Sequence, residues 1–143
     1  MPPETVIFAG PTRWELDGAA ALPPGARWEA PVRRGDLTRL ARLHAPGTIV
    51  LVDGLFHHTL AVGHAEIRGA LARGWAVYGL GSMGAIRACE MRDLGVRGFG
   101  NVYRRFVADP ELRDDEVALL HESEPPYRAL SEPLLRLVMA IAG

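Results

Sequence analysis

The chain has 143 residues, the length of one ordinary domain, which is enough to bury a core without disulfides or structural metals. Hydrophobic residues make up 48% and charged residues 23%, and the formal net charge is −1. This balance excludes bulk electrostatic attraction to nucleic acid or to an anionic membrane. A single cysteine, Cys89, excludes an internal disulfide framework and a cysteine-based zinc site.

The N-terminal segment lacks the basic stretch followed by an apolar one that marks a secretory signal peptide. No apolar run approaches the roughly 20 residues needed to span a bilayer. We therefore expect a soluble, cytoplasmic protein that binds neither membrane nor nucleic acid. A group of four arginines, interrupted by Asp36, is expected to be a solvated helix face rather than a polyanion site. These are Arg33, Arg34, Arg39 and Arg42.

Short apolar runs and turn residues mark the first elements of the chain. Residues 6–9 predict a buried strand, and a short helix is expected within residues 14–25. Residues 28–32 predict a second strand at a sheet edge, because Pro31 would break the hydrogen bonding of a central strand. Asp36 is expected to cap the helix that follows.

The central part of the chain alternates most clearly between strand and helix. Residues 48–52 and residues 75–78 each predict a buried strand. Between them a helix is predicted over residues 57–72. Its apolar side is formed by Leu60, His64, Ile67 and Leu71. After the second strand, another helix is expected to stop at Gly95, since glycine is a common residue at helix C-termini.

Beyond this point the pattern is weaker. Residues 98–101 predict a loop, and residues 102–107 fit a strand or a helical turn. Helices are predicted over residues 114–121 and 132–142. Strands that alternate with helices predict an α/β fold. We expect a three-layer, Rossmann-like parallel sheet with helices on both faces, in a single compact domain over the whole chain.

Glycines and polar side chains follow three of the predicted strands. The turns are Gly10-Pro11-Thr12, Asp53-Gly54 and Gly79-x-Gly81-Ser82-x-Gly84. The carboxyl ends of parallel strands share one edge of the sheet, where ligands bind. Glycine also lets the backbone approach a ligand closely. Three such turns together favour a ligand site over a purely steric role.

The third of these turns matches the G-x-G-x-x-G fingerprint of dinucleotide-binding proteins, but its context differs. It lies in the last clear strand–helix unit, and residues 101–105 lack the acid that should follow. Ser82 resembles the serine of a nucleophile elbow, although the spacing of the flanking glycines differs. It is also a plain helix N-cap candidate, beside N–H groups that suit an oxyanion. No cofactor is expected.

The remaining candidates each have a structural alternative. Asp53, at a strand end, is the best single carboxylate for contact with a ligand. Arg87 and Glu90 lie three apart beside an apolar stripe, as an anion anchor or as a structural pair. His64 is a candidate base or a hydrogen-bonded core residue, and Glu66 points away from it. No metal is assigned, because His57-His58 lacks partners at metal-ligand spacing. The cluster Asp114-Asp115-Glu116 is either a favourable acidic first turn of a helix or a place for a hard cation such as Mg²⁺.

Seven short blocks, taken in order, resemble the core domain of the TfuA family. They are Gly10-Pro11-Thr12, Val52-Asp53-Gly54-x-Phe56, Val62-x-His64-x-Glu66, Ala70-Leu71-x-x-Gly74, Gly79-x-x-Ser82-Met83-Gly84-Ala85-x-Arg87-Ala88-x-Glu90, Gly95-x-x-Gly98-x-Gly100 and Asp114-Asp115-Glu116-Val117-Ala118. The resemblance covers about residues 5–120. Two positions depart from it. Ala65 stands where the family usually has a lysine, and Gly81 stands where a serine often precedes Ser82.

The resemblance implies a partner of YcaO enzymes, which use ATP to activate a backbone amide oxygen. With TfuA proteins these enzymes yield thioamides in ribosomally made peptides. One implied mechanism is hydrolysis of the C-terminal thiocarboxylate of a small ubiquitin-like sulfur-carrier protein, which releases sulfide beside the YcaO enzyme. The alternatives are a non-catalytic docking partner of a YcaO enzyme and a small-molecule or nucleotide-binding module. A homo-oligomer is left open.

In the hydrolase hypothesis, Ser82 is the nucleophile or an oxyanion contact, and His64 is the candidate base. If His64 lies far from Ser82, a water activated by Asp53 or Glu66 takes its place. Arg87 would anchor the carrier carboxylate, and Asp53 and Glu90 would orient these groups. The expected substrate-binding residues are Gly10, Thr12, Gly54, Gly81, Met83, Gly84, Arg87 and Glu90.

Overall fold

Strands and helices alternate along the chain, as the apolar runs predict. A computed structural model describes residues 3–10, 22–54, 60–81, 83–109 and 111, and five strands and four α-helices lie within these ranges. The elements are β1 (Thr5–Phe8), β2 (Ala26–Glu29), α1 (Asp36–Leu43), β3 (Thr48–Leu51), α2 (His64–Ala72), β4 (Ala76–Gly79), α3 (Met83–Glu90), β5 (Arg97–Gly98) and α4 (Gly100–Ala108). A 3₁₀ turn at Arg92–Leu94 separates α3 from β5.

The five strands form one parallel sheet in the order β2-β1-β3-β4-β5. The predicted α/β fold is therefore confirmed. The order reverses at β1, because the chain goes from β1 outward to β2 and then returns to β3 on the other side. In register, Phe8 lies opposite Leu51, and Leu51 lies opposite Gly79. The last residues of β1, β3 and β4 thus form one row across the sheet.

Both faces of the central strands are buried, as in parallel sheets that are covered on two sides. On one face, Phe8 and Leu51 pack in a cluster with apolar residues of α1, α2 and α3. On the other face, Ile7 and Val50 are fully buried in a second cluster. The continuous apolar character of these strands follows from this double burial, since successive side chains point to opposite faces.

The predicted strands all occur, and all but the second lie within one residue of their predicted bounds. β2 spans Ala26–Glu29 instead of residues 28–32, and it is an edge strand of the described sheet, as predicted. Pro31 therefore lies beyond the strand. Residues 102–107 are helical, within α4. The loop predicted over residues 98–101 is wrong, because Gly98 pairs in β5 and α4 begins at Gly100.

The helix predicted from residue 57 begins at His64, with Gly63 as its N-cap. Leu60 is therefore not a helical residue, and it is 42% exposed. α3 ends at Glu90, and the 3₁₀ turn then ends at Gly95, whose φ of 111° is left-handed. Glycine adopts that conformation without steric cost, so Gly95 ends the 3₁₀ turn, whereas α3 itself ends at Glu90, before the predicted end near Leu94.

Several predicted features fall outside the described residues. These include the helices predicted at residues 114–121 and 132–142, and most of the one predicted within residues 14–25. Of the helices that the structure describes, none combines the length and the apolar character that crossing a membrane requires.

The cap of α1 differs from the prediction. Gly35, in the left-handed region with φ of 94°, is the N-cap, and Asp36 is the first helical residue. The Glu66 carboxylate of α2 accepts hydrogen bonds from the backbone N–H groups of Gly35, at 3.0 Å, and of Leu37, at 3.2 Å. These N–H groups have no partner within the helix, and a carboxylate also complements the positive end of its dipole. Glu66 thus ties α2 to the start of α1.

Candidate functional site

The turns after β1 and β3 meet at the point where the strand order reverses. The N–H of Gly10 donates a hydrogen bond to Asp53 Oδ2 at 2.7 Å. Asp53 is only 5% exposed. Open parallel sheets bind ligands at such a reversal, because the chains diverge there and leave a crevice. The structure therefore places one buried carboxylate at this reversal (the crevice), joined to the backbone of the neighbouring turn.

The second turn packs against the start of α3. A Cβ built on Gly54 would lie 2.7 Å from Met83 Cγ and 3.0 Å from a Val32 methyl group. Gly54 also forms an isolated parallel bridge with Val32. A side chain at this position would push α3 away from the turn. Gly54 is thus required for close packing, and Met83 forms the wall of the crevice beside it.

The third turn brings the α3 backbone directly onto β3. A Cβ built on Gly84 would lie 1.7 Å from the carbonyl oxygen of Leu51. The N–H of Gly84 donates to the carbonyl oxygen of Val52 at 3.1 Å. This N–H is therefore already occupied by the protein. Gly81, one turn before, has a φ of 74°, which is left-handed backbone.

A charged cluster joins α2 and α3. His64 Nε2 lies 3.4 Å from Glu90 Oε2, and the Arg87 guanidinium donates to Glu90 Oε1 at 2.7 Å. The side chain of His64 is 49% exposed, so its predicted place on the apolar side of the helix is wrong. Because His64 is the first residue of α2, its side chain extends past the helix end instead of packing under a preceding turn.

Arg87 is held on two sides. Its Nε donates to the carbonyl oxygen of Val62 at 3.0 Å, in addition to the bond with Glu90. Its side chain is only 13% exposed. Glu90 lies about 10 Å further along the α3 axis than Met83, at 1.5 Å per residue. The cluster of His64, Arg87 and Glu90 thus lies along α3, away from the residues that line the crevice.

The predicted site residues therefore separate into distinct groups. Gly10, Asp53 and Gly54 meet in the crevice, with the turn that contains Gly81 and the start of α3 beside them. His64, Arg87 and Glu90 form the charged cluster. Glu66 points away from His64, as predicted, and contacts α1. Thr12 and Ser82 lie outside the described residues.

Two contacts were not foreseen. Glu66 caps a helix from a distant segment, and no local motif signals this. Arg92 donates to Cys89 Sγ at 3.4 Å, so a cation does lie beside this half-buried thiol. The spacing of three residues was the available signal, because i and i+3 side chains meet on a helical surface. Within the described ranges, no three His, Cys, Asp or Glu residues are placed to hold a metal ion.

No curated protein matches the chain. A family model with the description "TfuA-like protein" matches residues 53–142, which is more than half of the chain. The match starts at Asp53, the carboxylate of the crevice, and includes the start of α3 and the whole charged cluster. The fold, the glycine turns and the matched segment agree with the resemblance in the sequence blocks, and the chain belongs to the TfuA-like protein family.

Proposed function

We propose that this protein supplies sulfide for peptide backbone thioamidation by hydrolysing the C-terminal thiocarboxylate of a ubiquitin-like sulfur-carrier protein, beside a YcaO enzyme. Membership of the TfuA-like family supports a role in thioamidation-related biosynthesis. The observation that carries the hydrolysis is Asp53, a carboxylate buried at the strand-order reversal and hydrogen-bonded to the turn at Gly10.

The crevice suits a thin, flexible substrate. The turns around it are closely packed, because Pro31, Met83 and Val52 fill the space where side chains of Gly10, Gly54 and Gly81 would lie, so only a thin polypeptide end would fit beside them. A carrier tail could bring its terminal carbon close to Asp53, because backbone without side chains permits close approach. A bulky, rigid substrate would gain nothing from this arrangement.

The proposed reaction is balanced without a cofactor. Water attacks the terminal carbon of R–COS⁻, the carbon–sulfur bond breaks, and the products are R–COO⁻ and H₂S. A general base takes one proton from the water, and the departing sulfur receives the protons. Ser82, between Gly81 and Met83 in the sequence, is proposed either as the attacking group, which would form an acyl-enzyme, or as a contact to the oxyanion.

Asp53 is the base that we favour among the predicted carboxylates and the histidine. Glu66 is engaged by the N–H groups of α1. His64 is paired with Glu90, on the part of α3 that lies away from the crevice. Asp53 is already in the crevice, and its burial keeps competing solvent away. We therefore propose that His64, Arg87 and Glu90 position α2 against α3.

The test is sulfide release from a thiocarboxylated carrier protein without any YcaO enzyme. We expect release by the natural protein, a loss of at least about 100-fold in Asp53→Asn, and a similar loss in Ser82→Ala, since general acid–base catalysis contributes about 10²–10⁴-fold. Asparagine retains an oxygen that can accept the Gly10 N–H, so the fold should survive. Asp93→Asn, on the exposed 3₁₀ turn, is the matched control and should release sulfide normally.

Three other outcomes have distinct meanings. Equal release by Asp53→Asn and the natural protein would remove Asp53 from the mechanism. Equal release by Ser82→Ala would remove Ser82 alone. Release by none of the proteins, from several authentic carriers, would exclude hydrolysis and leave a protein that acts only as a docking partner of its YcaO enzyme.

A further inference from the structure

A groove of about 570 Å³ lies between the edge of the sheet and α1. Its floor is formed by Val6 and Phe8 of β1 with Arg27 and Glu29 of β2, and Leu40 of α1 lines its side. It is large enough for a ligand, since ligand pockets typically measure about 300–1,000 Å³. It lies apart from the charged cluster, on the side of the sheet where α1 leaves β2 uncovered.

The charges at the end of the groove near His44 are balanced within the protein. His44 Nδ1 lies 3.3 Å from Glu4 Oε1. Arg27 lies 3.6 Å from the carboxylates of both Glu4 and Glu29. This end also carries Leu43, a large apolar side chain that is 71% exposed. It therefore offers an apolar contact and little free charge.

The opposite end of the groove, near Arg33, holds a cation without an ionic partner among the described residues. Arg39 forms an ion pair with Asp36 at 2.7 Å. Among the described residues, the guanidinium of Arg33 has no ion pair or hydrogen bond, although its backbone N–H donates to Asp36. Arg33 is exposed and lines the groove. An arginine in this setting favours a carboxylate, which it binds through two parallel N–H donors.

The end of the groove near Arg33 also adjoins the crevice. Pro31 lines the groove and packs on the first glycine turn, since a Cβ built on Gly10 would lie 2.6 Å from Pro31 Cγ. The groove follows α1 from Asp36 to His44, a length of about 12 Å at 1.5 Å per residue. About four extended residues, at about 3.3 Å each, have that length.

We propose that this groove binds an extended peptide segment whose terminal carboxylate or thiocarboxylate pairs with Arg33. The identification of that peptide as the tail of the sulfur carrier rests on the proposed function. Leu43 contacts the segment where it enters the groove, and the Arg33 guanidinium fixes its charged end. That end then lies near Pro31, which packs on Gly10 in the turn that is hydrogen-bonded to Asp53. Arg33, and not the engaged Arg87, anchors the carrier terminus.

The test uses a fluorescently labelled peptide with the last five residues of a ubiquitin-like sulfur-carrier protein. Its affinity is measured by anisotropy with a free terminal carboxylate and with a terminal amide. We expect the carboxylate form to bind about tenfold more tightly, because a charge-assisted pair is about twice as strong as a neutral hydrogen bond. Arg33→Ala should lower the affinity of the carboxylate form to that of the amide, whose own affinity should not change.

Arg42→Ala is the matched control, because Arg42 is an exposed arginine of α1 outside the groove. It should leave both affinities unchanged. Leu43→Asp should weaken the binding of both peptides. The same change at Leu94, another exposed leucine, should weaken the binding of neither. Equal affinity of the two peptides, equal losses in Arg33→Ala and Arg42→Ala, or no binding of either peptide would each overturn the proposal.

The groove and the hydrolysis can fail separately. Peptide binding that depends on Arg33 without any sulfide release would retain the groove and exclude the hydrolase. Sulfide release that stays unchanged in Arg33→Ala at subsaturating carrier would retain the hydrolase and exclude the groove.

Discussion

Replacement of Gly84 by alanine should show how closely α3 packs on the sheet. The added Cβ would lie 1.7 Å from the Leu51 carbonyl oxygen, whereas real Cβ contacts essentially never fall below 3.0 Å. The neighbour is backbone in the middle of a parallel sheet, so α3 itself must move by more than about 1 Å. That movement stretches the bond from the Gly84 N–H to the Val52 carbonyl oxygen, now 3.1 Å.

The expected loss follows from three contributions. Overpacking of a core costs about 1–3 kcal/mol, and a weakened backbone hydrogen bond adds about 1 kcal/mol. The higher helix propensity of alanine offsets about 1 kcal/mol of this loss. We expect the free energy of unfolding to fall by about 1–3 kcal/mol, out of the roughly 5–15 kcal/mol typical of a domain. Urea denaturation followed by circular dichroism measures this change directly.

The same substitution at Gly69 is the control. Gly69 lies in α2, and a Cβ built there meets no atom within 4 Å. Its replacement should be neutral or should raise stability by about 0.5–1 kcal/mol, because alanine loses less backbone entropy than glycine in a helix. If Gly84→Ala unfolds at the same urea concentration as Gly69→Ala, the close approach of α3 to β3 is refuted.

Three further substitutions test individual contacts, each by urea denaturation. Glu66→Ala removes the acceptor at the start of α1 and should lower the free energy of unfolding by about 1–2 kcal/mol, in the range of other lost N-caps. Asp53→Ala leaves the Gly10 N–H without this acceptor and should cost about 1–3 kcal/mol, whereas Asp53→Asn should cost less. Arg87→Met deprives the Val62 carbonyl oxygen of its donor and should cost about 1–2 kcal/mol.

Exposed charges provide the controls for these three variants. Asp93→Ala and Arg68→Ala change side chains that are exposed in the structure. Both should stay within about 0.5 kcal/mol of the natural protein. Losses as large as those of the Glu66, Asp53 and Arg87 variants would show that removal of any charge destabilises the domain, and would contradict the assigned contacts.

The sequence by itself determined the strands and the edge at which they end. The runs at residues 6–9, 48–52 and 75–78 carry no charged residue and are apolar at nearly every position, which favours burial on both sides. Asp53 and the glycines after these runs were identifiable as site candidates, because the carboxyl ends of parallel strands share one edge. The order of the sequence blocks also predicted the family.

The tertiary structure decided which side chains meet. Glu66 and Gly35, or His64 and Glu90, are distant in sequence, and their contacts depend on strand order and on where each helix begins. The helix was predicted to begin seven residues too early, so His64 was expected inside it, beside Leu60, instead of at its exposed first position. The groove that ends at Arg33 exists only because α1 leaves β2 uncovered. Local sequence patterns indicate which residues are buried and which backbone conformation they prefer. The distance between two segments depends on how the whole chain packs.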